Sequence, residues 1–101
     1  MPRFVVVEGP DLGKVFEPQT DAREISIGRA PGNTVRLNDH EISRRHVTVR
    51  PEGDGWVIQD EGSTNGTLLN GLPVRRQPLR DGDEIRVGPA LLRFVHVEAG
   101  A

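Results

Sequence analysis

The sequence predicts an all-β fold, an antiparallel β-sandwich of about eleven short strands with little or no helix, and three observations carry that prediction. Apolar residues recur at every second position in short runs. Turn-forming pairs interrupt the chain at close intervals. No long window keeps the spacing of an amphipathic helix.

The first strand is expected at 3–8, from the apolar run Phe4-Val5-Val6-Val7, and Gly9-Pro10-Asp11-Leu12-Gly13 turns the chain into a second at 14–17. Ile25 and Ile27 alternate with Glu24 and Ser26 in a strand at 23–28, and Pro31-Gly32-Asn33 separates it from 34–37. Val47 and Val49 alternate with Thr48 and Arg50 at 46–50, and a glycine-rich turn at 51–55 leads into 56–60. Short strands at 67–69 and 72–74 flank Asn70-Gly71, a pair that tolerates the positive φ of hairpin turns. The remaining strands are expected at 77–79, at 83–87 after Asp81-Gly82, and at 91–97, where Leu91, Leu92, Phe94 and Val95 supply the apolar residues. Period-two alternation gives each strand one face for a core and one for solvent.

The chain has 101 residues, enough for one domain with a modest core and no deep substrate cavity. The expected unit is a single domain over 1–101 with its core at about 3–97. The small residues of Glu98-Ala99-Gly100-Ala101 read as the beginning of a linker, so the domain is expected to be the N-terminal module of a longer protein. With 13 basic and 15 acidic side chains the net charge is −2, which disfavours a nucleic-acid binder. Twelve of the basic residues are arginine, a bias that a GC-rich genome explains as readily as anion recognition does. The chain has no cysteine, no apolar stretch near the roughly 20 residues of a membrane span and no signal-peptide pattern, so a cytoplasmic location is the default.

A sandwich carries its variable chemistry on loops, and three loops hold residues that turn chemistry does not explain. Gly28-Arg29 places a five-donor guanidinium where a strand ends. Asp39-His40-Glu41-Ile42-Ser43-Arg44-Arg45-His46 carries a hydroxyl, two further arginines and a histidine entering a strand. A Ser43–His46 nucleophile pair lacks the glycine-flanked turn and the orienting carboxylate such chemistry needs. A metal site on His40 and His46 has no regular ligand spacing. His46 reads more simply as a hydrogen-bonded brace of the loop. In Asp60-Glu61-Gly62-Ser63-Thr64-Asn65-Gly66-Thr67 an Asn-Gly hairpin would account for Asn65-Gly66, but not for Asp60, Ser63 and Thr64. Together the loops offer an arginine fork, a hydroxyl and a carboxamide, donors that suit a small tetrahedral dianion on a peptide.

Gly28-Arg29, Ser43-Arg44-Arg45-His46, Asp60 with Ser63-Thr64-Asn65-Gly66, Asn70-Gly71, Gly82-Asp83-Glu84-Ile85 and Gly88 together resemble the forkhead-associated (FHA) family in order and spacing. The resemblance runs from about residue 3 to 97. It implies an eleven-stranded sandwich that binds phosphothreonine-containing proteins or peptides through loops at one end, in bacterial-like signalling downstream of a Ser/Thr protein kinase. By the same resemblance Arg29, Ser43 and Arg44 contact the phosphate, Thr64 frames the phosphothreonine pocket and Asn65 bonds the peptide main chain. Gly28, His46, Gly66 and Asn70 are then structural support of the binding loops. Glu41 falls where relatives read the third residue after the phosphothreonine, which hints at a basic or polar residue there. Thr20, the threonine ahead of the binding loops, has flanks that give no reason to read it as a phosphosite.

The expectation is thus a binding module and not an enzyme. It has no catalytic residue, metal or cofactor, no nucleic-acid or membrane partner, and is a monomer as an isolated domain. A phosphorylation-independent docking domain is the alternative reading.

Overall fold

The computed structural model describes residues 2–18 and 23–96 and builds them into a sandwich of two sheets without a helix. Thr20, Val97 and the tail from Glu98 lie outside the described residues. One sheet has six strands in the order β2-β1-β11-β10-β7-β8, formed by Val15–Phe16, Pro2–Glu8, Ala90–His96, Glu84–Val87, Thr67–Leu69 and Leu72–Pro73. The other has five in the order β4-β3-β5-β6-β9, formed by Val35–Arg36, Ile25–Gly28, Val47–Glu52, Gly55–Asp60 and Arg76–Leu79. All eleven expected strands are present, with ends displaced by a residue or two.

The alternation holds in most strands, but in β5 Thr48 is buried between Val47 and Val49, so that stretch is covered on both faces. Phe4, Val6, Ile85, Val87, Leu92 and Phe94 from the larger sheet face Ile25, Ile27, Val47, Val49 and Ile58 from the smaller, all essentially without exposure. Each such side chain contributes about 1.5–3 kcal/mol by leaving water. Phe4 and Phe94 meet at the centre with ring centroids 5.5 Å apart.

One pairing departs from the antiparallel expectation: β3 and β4 run parallel, with Ile27 beside Val35 and Gly28 beside Arg36. The chain between them loops back far enough to start β4 alongside the end of β3. A two-residue strand is too short for periodicity to reveal its direction.

The two Asn-Gly pairs differ. Asn70 (φ 50°) and Gly71 (φ 84°) both take the left-handed conformation of a tight hairpin and join β7 to β8. At Asn65-Gly66 only the glycine does (φ 80°), because the 61–66 segment crosses from β6 in one sheet to β7 in the other. The hairpin explanation for Asn65-Gly66 therefore fails, and its residues are free for another task.

Strand direction places the loops. Val47 at the start of β5 pairs with Asp60 at the end of β6, and the His46 amide donates to the Ile27 carbonyl at 2.9 Å. The exits of β3 and β6 and the entry to β5 thus share one pole of the sandwich. At the opposite pole Pro2 pairs with His96, whose ring packs edge-on against Trp56.

Candidate functional site

The β3 exit is built on close backbone contact. A Cβ on Gly28 would lie 2.3 Å from the Arg44 carbonyl oxygen and 2.9 Å from its carbon, so only glycine fits. Past it the ladder continues without a strand: the Arg29 amide donates to the Ser43 carbonyl at 3.0 Å and the Ala30 amide to the Arg44 carbonyl at 3.1 Å. The Asn33 carboxamide clamps the same place, donating to Ala30 O at 2.9 Å and to Arg44 O at 2.6 Å. Arg29 is half-buried and its Nε donates to the Ile42 carbonyl at 3.1 Å, which fixes the root of the guanidinium. The terminal nitrogens carry no ion pair among the described residues.

The 39–46 loop is anchored at two points. Ile42 is fully buried in the core, and the glycine of the β10–β11 turn, Gly88, lies directly against it. His46 is the second anchor, with no exposed surface. The Ser43 amide donates to its Nδ1 at 3.1 Å, so the ring proton sits on Nε2 and is donated to the Gly66 carbonyl at 2.8 Å. Both nitrogens are committed to backbone partners, and neither is placed to take a proton from the Ser43 hydroxyl. The histidine couples the 39–46 loop to the 60–66 loop.

Asp60 organises that second loop. Its Oδ1 accepts the amides of Gly62 at 2.8 Å and Ser63 at 2.9 Å, while Oδ2 accepts the hydroxyls of Ser63 and Thr67, each at 2.6 Å. Partial burial pushes its carboxyl up, but the hydroxyl donors and the two amides outweigh burial and hold it below its usual 3.8. A lowered carboxylate stabilises the fold above its ordinary value and loses that contribution as pH falls through and below it. Asp60→Asn is therefore expected to cost about 1 kcal/mol at neutral pH, with the gap to the parent narrowing as pH falls below 3.8. Denaturant melts of both proteins from neutral pH downward check it; a gap that does not narrow in acid rules the charge out as the cause.

The two loops then meet. The Thr64 amide donates to the Ser43 hydroxyl oxygen at 3.1 Å, which leaves the Ser43 O–H free to donate outward. The Asn65 carboxamide donates to the Glu41 carbonyl at 2.9 Å, keeping its own oxygen and a second N–H for an external partner. Arg44 and Thr64 are exposed beside them.

Of the residues the sequence singled out, Gly28, Arg29, Ser43, Arg44, His46, Thr64, Asn65 and Gly66 come together on the two linked loops and the β3 exit. Asn70 does not. Its carboxamide bonds Asp83 Oδ1 at 3.0 Å and the Glu84 amide at 2.9 Å, so it braces the β7–β8 hairpin against β10, away from this pole. Sequence reasoning assigned no role to Asn33, Ile42 or Thr67, and noted Asp60 without saying what it does. A lone apolar residue in a polar loop and an aspartate followed by serine three positions later were the available signals.

Two clefts flank the 60–66 loop. One of about 390 Å³ is lined by Asp60, Ser63, Thr67 and Pro73 through Arg75. The other, of about 270 Å³, is lined by Glu41, Asn65, Leu68, Arg86 and Gly88. A guanidinium, a free hydroxyl proton and a half-used carboxamide around one pole can hold a small, multiply charged anion carried on an extended chain.

Comparison with known proteins points the same way. The family model described as "FHA domain" matches residues 25–88. The chain is 38% identical over 93 residues to the oxoglutarate dehydrogenase inhibitor of Corynebacterium jeikeium, covering 92% of this chain and 63% of that protein. It is 40% identical over 92 residues to the glycogen accumulation regulator GarA of Mycolicibacterium smegmatis, covering 91% and 57%. The chain thus spans about three fifths of the length of these relatives. An FHA domain solved in a study of phosphothreonine-dependent FHA interactions superposes with a TM-score of 0.85 at 30% identity, over 96% of this chain and 97% of that one.

Proposed function

The chain belongs to the FHA-domain family, and from that premise we propose that it is a non-catalytic reader of phosphothreonine in partner proteins, acting downstream of a Ser/Thr protein kinase. The observation that carries this reading is the convergence of Arg29, Ser43 and Asn65 on the 41–44 segment, through hydrogen bonds at 3.1 Å from Arg29 Nε to Ile42 O and from the Thr64 amide to Ser43 Oγ, and at 2.9 Å from Asn65 to Glu41 O. Arg29 and Arg44 supply about the charge of a phosphate dianion. Ser43 donates its hydroxyl to a phosphate oxygen, Thr64 frames the pocket, and Asn65 bonds the ligand main chain. Glu41 stands at the smaller cleft, where Arg86 is already paired with Glu8 at 2.9 Å, so that cleft favours a basic or polar flanking residue.

We place this activity in the cytoplasm, in a module that is monomeric in isolation and forms part of a longer signalling protein. No helix of the described residues is long and apolar enough to cross a membrane. Titration with one peptide in phosphorylated and unphosphorylated forms decides between this reading and phosphorylation-independent docking. The phosphorylated form is expected to bind at least about a hundredfold tighter, since the phosphate brings more than one charge-assisted hydrogen bond. Equal affinity for both forms would assign the domain to the docking class.

A further inference from the structure

Among the described residues seven cations have a carboxylate partner, Arg45 of the 39–46 loop included. Arg23, Arg29, Arg36, Arg44, Arg75 and Arg80 have none, and four of these six, Arg29, Arg36, Arg44 and Arg75, surround the loop pole. In a chain of net charge −2 this concentration is not an overflow of basic residues. The proposed phosphothreonine accounts for part of it: a phosphate of about −1.5 to −2 is matched by Arg29 and Arg44. Arg36 then adds a third positive charge with nothing to offset it.

Arg36 is also held in place. It lies on β4 in register with Gly28, one strand spacing of about 4.8 Å from the β3 exit. Its Nε donates to the Arg29 carbonyl at 3.1 Å, while the residue stays exposed and its guanidinium has no carboxylate partner among the described residues. Fixing the guanidinium beside Arg29 before any ligand arrives removes part of the ordering cost of binding. Glu41 lines the cleft beside Asn65, whereas Arg36 stands against the β3 exit, so charges of opposite sign border different parts of the site.

We infer that Arg36 is a specificity residue for a second anionic group of the ligand, a carboxylate or a second phosphate, one or two residues from the phosphothreonine on the side away from Glu41. This rests on the phosphothreonine reading above. Side chains on one face of an extended peptide recur about every 6.6 Å, which brings a group at that separation from the Arg29 side to the Arg36 side.

The test uses phosphothreonine peptides with neutral flanks, the same peptides with one glutamate placed in turn at each of the three positions on either side, and a doubly phosphorylated peptide, titrated into the parent chain and Arg36→Gln. In the parent, glutamate at one position on one flank is expected to tighten binding about threefold, and a second phosphate there about tenfold. In Arg36→Gln both gains vanish, while affinity for the neutral-flank peptide stays within about twofold and thermal unfolding is unchanged. A carboxylate gain alone identifies an acidic residue as the second group; a gain confined to the doubly phosphorylated peptide identifies a second phosphate. The inference is overturned if no flanking anion tightens parent binding, or if the gain survives in Arg36→Gln, which would assign it to Arg75 or Arg44. Failure of the parent to bind the neutral-flank phosphopeptide overturns the phosphothreonine reading itself, and this inference with it.

Discussion

Arg29→Ala is expected to weaken phosphopeptide binding by ten- to more than a hundredfold and to leave the fold standing. A charge-assisted hydrogen bond contributes about 1.5–3 kcal/mol, and the anchored guanidinium can make two with one phosphate. Within the free protein Arg29 makes a single side-chain hydrogen bond, to the Ile42 carbonyl, and Ile42 is itself held by its burial in the core. The loss should therefore appear in titrations and barely in thermal melts. Arg29→Lys separates charge from shape: it keeps the cation but not the planar fork, and should retain only part of the affinity. An Arg29→Ala protein that binds as tightly as its parent would mean the phosphate site lies elsewhere.

His46→Ala is expected to act on stability first. It removes a fully buried ring and strands two backbone groups, the Ser43 amide and the Gly66 carbonyl, that now meet its two nitrogens. A buried cavity together with unsatisfied polar groups costs about 3–5 kcal/mol, a large share of the stability of a small domain. Thermal unfolding should drop by roughly 15–30 °C, with binding falling as the two loops come apart. Should the variant melt like its parent and yet bind nothing, His46 touches the ligand and is no brace.

The strands were legible because burial on one face writes itself into the sequence at every second residue, as in Ile25 and Ile27 or Ile85 and Val87. The direction of β4 was not, since Val35–Arg36 has no length over which to show a pattern. In the site, Arg29 and Ser43 stood out because no turn required them, and Asn65 because Ser63 and Thr64 ahead of it exceed what a hairpin needs. The part of Asn33 stayed hidden for a different reason. Asn33 works on the Arg44 carbonyl, and Gly28 is required by that same carbonyl, yet every residue type carries a carbonyl. The partner in such a contact leaves no mark in the sequence. Asn70-Gly71 and Asn65-Gly66 show the same limit from another side: identical dipeptides serve a hairpin in one place and a crossing between sheets in the other, and only the strand order tells them apart.

The pairing of Pro2 with His96 has a consequence for how the domain is used. Pro2 and His96 lie side by side in the six-stranded sheet at the pole away from Arg29, Ser43 and Asn65, so a protein fused by a linker near either is expected to leave those loops uncovered. The length and stiffness of such a linker would set the effective concentration of a ligand joined through it.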